Sequence, residues 1–171
     1  MNVITLHQPY ASLVAHGIKT VETRSKAPPK KLIGERIGIH AGKTFVEDPD
    51  TISSIMFEIG EIIDHETRNL LTDKMVGRNF PQGAIIATAT LEKAAQIYQI
   101  SASGDVAYAA DMNHPEGRWN GSIDVEIDLL GDYRLDGWLW FLTDIERLET
   151  PVPARGMPGV WDHQSWTHER K

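Results

Sequence analysis

Lys19, Glu22 and Arg24 lie within six residues of one another. On an extended segment side chains alternate, so Glu22 and Arg24 share a face and Lys19 sits at the mouth of the strand. A lysine beside a carboxylate in a half-enclosed cleft serves as a proton carrier, or as a nucleophile where desolvation lowers its pKa. Arg24 offers a planar fork to phosphate or base oxygens. The bland alternative is a cross-strand ion pair worth ~0–1 kcal/mol. Spacing alone leaves both open.

Further candidates surround this trio. His40 and Lys43 follow the alternating stretch Arg36 to His40, whose end should approach the same cleft. His40 could hydrogen-bond a ligand or shuttle protons near neutrality, or be a satisfied structural histidine. Five tryptophans give base stacking some substance, with Trp140, Trp161 and Tyr10 as candidates to sandwich a base and Trp138 assigned to the core. Gln8 could read a base edge with its amide or cap the helix that follows. Arg155 and Gly156 read as a rim loop, where Arg155 meets phosphate or simply faces solvent and Gly156 permits close backbone approach. His163 and His168 make no metal pattern, and the chain has no cysteine, so no metal and no cofactor is expected.

These residues need a frame. Val3 to Leu6 reads as an opening strand, and Pro9 to Gly17 as a short helix burying Ala11, Leu13 and Val14. Thr20 to Thr23 should be extended. The segment from Asp48 to about Ile63 is a helix capped by Asp48, with Ile52, Ile55, Met56, Ile59, Ile62 and Ile63 on its core face. Another helix spans about Thr67 to Met75 and ends at Gly77. Ile85 to Leu91, Ile123 to Ile127 and Trp138 to Ile145 alternate as strands, the last being the final strong one. Residues 101–122 read as a loop or lid, and 78–83 as a turn. Strands dominate the second half and helices intrude on the first, which gives an α+β, barrel-like class.

The whole chain of 171 residues reads as a single domain, 1–171, with 41% apolar and 24% charged residues. No stretch approaches the ~18 apolar residues of a membrane helix, and the first residues lack the pattern of a signal peptide. A cytoplasmic protein without a membrane partner is the expectation. Net charge is −7, so nucleic-acid binding would need a local patch. Between Lys19 and Lys43 seven basic residues face two acids, whereas Thr44 to Asp73 holds eight acids and only Arg68.

The runs Leu6-His7-Gln8-Pro9-Tyr10-Ala11 and Gly17-Ile18-Lys19-Thr20-Val21-Glu22-Thr23-Arg24 resemble the opening motif of ASCH domains. They look closest to the branch of the endothelium-overexpressed lipopolysaccharide-associated factor. Ile37 to Ala41, Gly83 to Leu91, Trp138 to Ile145, Pro151 to Gly156 and Gly159-Val160-Trp161 extend the likeness, in order, over most of the chain. The resemblance implies a PUA-like β-barrel with flanking helices and a cleft beside the first helix. It also implies RNA, a nucleoside or a nucleotide as ligand. One relative is an amidohydrolase that deacylates 4-acetylcytidine and another is described as a ribonuclease. Fold alone does not choose among these.

The amidohydrolase has its essential lysine at the position matching Lys19 and a threonine at that of Glu22. Its catalytic glutamate lies in a helix that does not align with this chain, so Glu22 would replace that acid, activating water, while Lys19 steadies the oxyanion. The expectation is an enzymatic centre of Lys19, Glu22 and His40 ringed by Gln8, Tyr10, Arg24, Lys43, Trp140, Arg155 and Trp161. A metal-independent ribonuclease or a non-catalytic reader is the alternative.

Overall fold

The computed structural model describes residues 1–46, 48–77, 79–113 and 121–164. His168, half of the histidine pair weighed for metal binding, lies outside them. So do Arg78, in the turn expected at 78–83, and 114–120, the middle of the expected lid.

The chain runs β1 (Asn2–Gln8), α1 (Tyr10–Ala15), β2 (Val21–Arg24), β3 (Arg36–Phe45), α2 (Pro49–Ile62), α3 (His65–Gly77), β4 (Ala84–Ile100), β5 (Val106–Asp111), β6 (Ser122–Glu126), β7 (Trp138–Pro153) and β8 (Val160–Asp162). The described strands form one mixed sheet in the order β2-β7-β4-β3-β1-β8, with β5 on β4 and β6 on β5. Among the described strands only β1 and β3 run parallel. This is an α+β fold with a curled, half-barrel sheet and a few helices.

The curl comes from two strands longer than their alternation suggests. β4 reaches nine residues past Leu91, and β7 eight past Ile145. Register slips three times where they pair, once where Ala89 faces both Asp144 and Ile145. Asp144 takes a left-handed φ of 46° there. An extra residue on one strand bends it and sharpens its twist. Near the start of β4 the free edge is covered by β3, near its end by β5.

The strand β5 corrects the reading of 101–122 as a loop. Its Ala107 and Ala109 are fully buried with Ala95, Ile97 and Leu139, and β5 pairs with β4 and β6. Short side chains let the two neighbouring strands pack closely. β8 adds an edge strand beyond the one expected to be last.

The helices place the site. Pro9 precedes α1, and Gly17, at φ 72°, stops it. The Leu13 carbonyl then accepts from both Ile18 N–H and Lys19 N–H, turning the chain toward β2. Asp48 accepts from Thr51 N–H and caps α2 as expected. Ile55 and Ile59 of α2 and Leu71 and Met75 of α3 are buried with Leu13, and Leu130 joins the same cluster. Ile52, Met56 and Ile63 pack at its margin; the Ile62 side chain is outside the described ones. Tyr10, at the start of α1, and Ile18, beside Lys19, pack at the margin of this helical layer. No described helix is long and apolar enough to cross a membrane.

Candidate functional site

Lys19, Glu22 and Arg24 come together as their spacing demands. Lys19 is 2% exposed. Its Nζ donates to the Val21 carbonyl at 2.6 Å and stands 3.6 Å from Glu22 Oε2. Of the three N–H donors of an ammonium, the Val21 carbonyl takes one, while Glu22 stands at ion-pair distance. The Tyr10 ring centroid is 5.9 Å from Nζ. Arg24 Nη2 donates to the Thr5 carbonyl at 3.2 Å, and Nε is 3.3 Å from Glu22 Oε1 but too poorly aligned to hydrogen-bond there. The guanidinium carbon sits 5.5 Å from the Trp140 ring centroid.

These side chains line an open cleft of about 440 Å³ between β1, β2 and the loop Leu130–Arg134. Burial pushes the Lys19 ammonium below its ordinary pKa, an effect that the Glu22 and Asp128 carboxylates partly oppose. Burial, with the same two carboxylates, pushes the Tyr10 phenol up, so it stays an O–H donor. The cleft wall thus sets the donors Tyr10, Lys19, Arg24 and Arg134 beside two carboxylates, Glu22 and Asp132.

A second cleft of about 1100 Å³ shares Thr5, His7 and Arg24 with the first. His40, Lys43 and Arg155 line it, and none of the three lines the first. One cleft was expected; the structure has two that meet at Arg24. Lys19 and His40 therefore do not face one space.

His40 is 2% exposed, and its Nε2–H donates to the Ala154 carbonyl at 3.1 Å. Nδ1 is buried without a partner. Its ring fills the place where a β-carbon on Gly156 would project, and stands edge-on to Trp161 at 5.6 Å. This ring locks the rim loop onto the sheet.

Burial holds the His40 pKa below its ordinary 6.5, against the Ala154 hydrogen bond, which acts upward. The unfolded chain takes its proton as pH falls through 6.5, while the folded ring resists until lower pH. Stability from this residue is therefore present above 6.5, drains away as pH drops toward the folded value, and levels off below it. Denaturant unfolding between pH 7 and 5 should show this loss, and His40→Gln should flatten the slope. His16, shifted the same way by burial, keeps some of it. An unchanged slope in the variant would contradict the assignment.

Three expected contacts are placed otherwise. Gln8 is fully buried; its Oε1 accepts from Ser12 N–H and its Nε2 donates to the Pro81 carbonyl, so its amide caps α1 and reaches no cleft. Trp140, 3% exposed, donates from Nε1 to the Lys26 carbonyl and forms the floor under Arg24. Trp161, 7% exposed, donates to Thr5 Oγ1. Neither indole lines a cleft, so neither is positioned to sandwich a base; of the three aromatic candidates Tyr10 alone is a wall residue.

The basic run from Lys19 to Lys43 also disperses. Lys19 is internal, and Arg36 is tied to Glu146 at 2.5 Å, to the Asp144 carbonyl and to Thr88.

Sequence reasoning missed the wall formed by Leu130, Gly131, Asp132 and Arg134. Asp132 N–H donates to Thr23 Oγ1 at 2.8 Å, which fastens this loop to β2, and Asp132 pairs with Arg134. It also missed His7, exposed where the two clefts meet, and Asp128, whose carboxylate accepts from Leu130 N–H and holds the loop's base. The turn-rich run Gly131 to Gly137 signals a loop, yet nothing in it tells which strand the loop will meet.

Among families of known proteins, the ASCH domain model matches residues 4–120, more than half of the chain. The chain belongs to the ASCH family. The Lys19–Glu22–Arg24 cleft thus lies within the matched ASCH segment, except for its Leu130–Arg134 wall. No curated protein matches the chain. Similar solved structures include the ASCH protein of Zymomonas mobilis, 16% identical, with a TM-score of 0.41 over 88% of this chain and 71% of that one. A serine-to-alanine and a tyrosine-to-phenylalanine variant of that protein are equally similar in sequence. They cover 72% and 73% of their chains, with TM-scores of 0.41 and 0.40.

Proposed function

We propose that this ASCH protein binds a nucleobase in the Lys19 cleft and hydrolyses an exocyclic amide there, with N4-acylated cytosine as substrate class. The observation that carries the reading is Lys19 itself: a cation almost wholly removed from water, beside Glu22, on the wall of an open cleft. A desolvated ionisable group with a specific charge partner, set in a cleft, is the kind of group that clusters at functional sites. The cleft's volume is within the range of small-molecule sites. Its donors Tyr10, Lys19 and Arg24 suit a base carrying two carbonyl oxygens and a ring acceptor. ASCH domains generally bind RNA or hold a ligand in a pocket, which agrees with this reading.

In the proposed step a water oxygen adds to the acyl carbon, and Glu22 takes a proton from that water. The carbonyl π electrons move to oxygen, where the Lys19 ammonium meets the developing charge. The carbon–nitrogen bond then breaks, and Glu22 returns its proton to the departing N4. The products are the cytosine amine and a carboxylic acid, which loses its remaining proton to water. The likeness to the branch of the endothelium-overexpressed lipopolysaccharide-associated factor belongs to this reading too, carried by the Leu6–Ala11 and Gly17–Arg24 runs.

The test is release of cytidine from 4-acetylcytidine, separated by chromatography. Wild type should turn over, and Glu22→Gln should lower kcat by ~10²–10⁴ with little change in KM. Wild type without turnover between pH 6 and 9 would leave a non-catalytic reader of the base.

A further inference from the structure

The second cleft has a composition that the hydrolytic reading does not use. Arg24, Lys43 and Arg155 line it, with His7 at the margin, and no aspartate or glutamate does. Lys43 and Arg155 are exposed, and none of the ion pairs found among the described residues includes either. In a chain of net charge −7, unpaired cations collected on one concave wall repel each other until an anion arrives.

The backbone around them is open to close approach. On this wall Gly159, at φ 73°, has nothing within 4 Å of where a β-carbon would stand, and Gly83, at φ 64°, has only the Lys43 side chain there. The wall is also held in shape. His40 is buried behind it and bonded to Ala154, Thr5 Oγ1 donates to the Met157 carbonyl, and Ala154 N–H donates to the Gly83 carbonyl. The cleft exceeds what a single base needs, and it opens into the base cleft at Thr5, His7 and Arg24.

We propose that the second cleft receives the phosphates flanking a base held in the first, so that the preferred ligand is a single-stranded oligonucleotide over a free nucleoside. This deepens the base-pocket reading and rests on it. Arg24 stands at the junction, its guanidinium reachable from both sides. Lys43 and Arg155 follow the backbone away from it.

Calorimetric titration of the Lys19→Met protein, which leaves the acyl group uncleaved, with three probes tests this: 4-acetylcytidine, its 5′-monophosphate, and a single-stranded trinucleotide with acetylcytidine at its centre. At low salt this protein should bind the trinucleotide about tenfold more tightly than the nucleoside. The advantage should shrink as salt rises, with a log–log slope of about −0.7 for each phosphate engaged. The double variant Lys43→Ala/Arg155→Ala should bring the ratio below about threefold and remove most of the salt dependence. Equal affinity for trinucleotide and nucleoside, or a ratio that survives the double substitution, overturns the proposal. So does a monophosphate that binds as tightly as the trinucleotide, because the cleft would then serve a terminal phosphate.

The two readings fail separately. Hydrolysis with no phosphate preference ends this inference and leaves the base cleft standing. A preference abolished by the double variant, with no cytidine released, keeps the subsite and ends the hydrolytic step.

Discussion

Lys19→Met should lower kcat for 4-acetylcytidine by ~10²–10³ while leaving KM nearly unchanged. Methionine keeps most of the buried volume and removes the positive charge. The oxyanion then loses its cation, whereas the uncharged base keeps Tyr10, Arg24 and Arg134 as neighbours. The variant should still fold. The Val21 carbonyl and Glu22 lose a partner, a loss of ~1–3 kcal/mol.

A purely structural lysine would behave differently, and the pH profile tells the two apart. Burial lowers the Lys19 pKa, so the alkaline limb of kcat should fall below 10.5 in wild type. That limb should be missing from the residual activity of Lys19→Met. Full activity in Lys19→Met would remove the residue from the chemistry.

Trp140→Ala should destabilise the protein by ~3–5 kcal/mol, measured by denaturant unfolding. The indole is 3% exposed and packs with Leu6, Ala94 and Leu142. It also lies opposite Glu22 in the β2–β7 register and opposite Ala94 in β4–β7, so it joins the site's strand to the longest strand of the sheet. Removing it leaves a cavity and takes the floor from under Arg24. Trp140→Phe keeps an aromatic face there but forfeits the donor to the Lys26 carbonyl and part of the ring volume, for ~1–3 kcal/mol. Its activity should stay near wild type. A Trp140→Ala variant destabilised by less than ~1 kcal/mol would mean that the indole does not bear on the core.

Trp140 also marks the limit of what the sequence discloses. An aromatic residue on a strand has two faces available, and alternation does not say which one a second layer will cover. The stacking assignment for Trp140 and Trp161 took aromatic chemistry at face value; packing with residues of β1 and β4 took those rings inside. Gln8 shows the same limit: of its two readings, the helix-capping one prevailed, its buried amide shared between Ser12 N–H and the Pro81 carbonyl, a partner distant in sequence.

Where one local pattern controls geometry, the reading carried through. Period-two spacing put Glu22 and Arg24 side by side on β2, and Gly17 with its left-handed φ delivered Lys19 to the strand's mouth. The extent of β4 and β7 was less legible. Glu92-Lys93 and Asp144 interrupt the apolar rhythm, yet at these points the strands slip register and bend without ending. The strand β5 was hidden because Ala107, Ala109 and Ala110 carry little β-forming signal, and their value lies in fitting between β4 and β6. The division into two clefts was not readable at all. It depends on where Arg24, drawn onto Trp140 and the Thr5 carbonyl, ends up between loops distant in sequence.

The most direct test of the central claim is a crystal structure of Lys19→Met soaked with 4-acetylcytidine, the charge-deleted variant holding the substrate uncleaved. The base should lie in the cleft walled by Tyr10, Glu22, Arg24 and Arg134, its acyl carbonyl turned toward position 19 and Glu22. A saturated crystal with that cleft empty, or with the nucleoside bound elsewhere, would contradict the account.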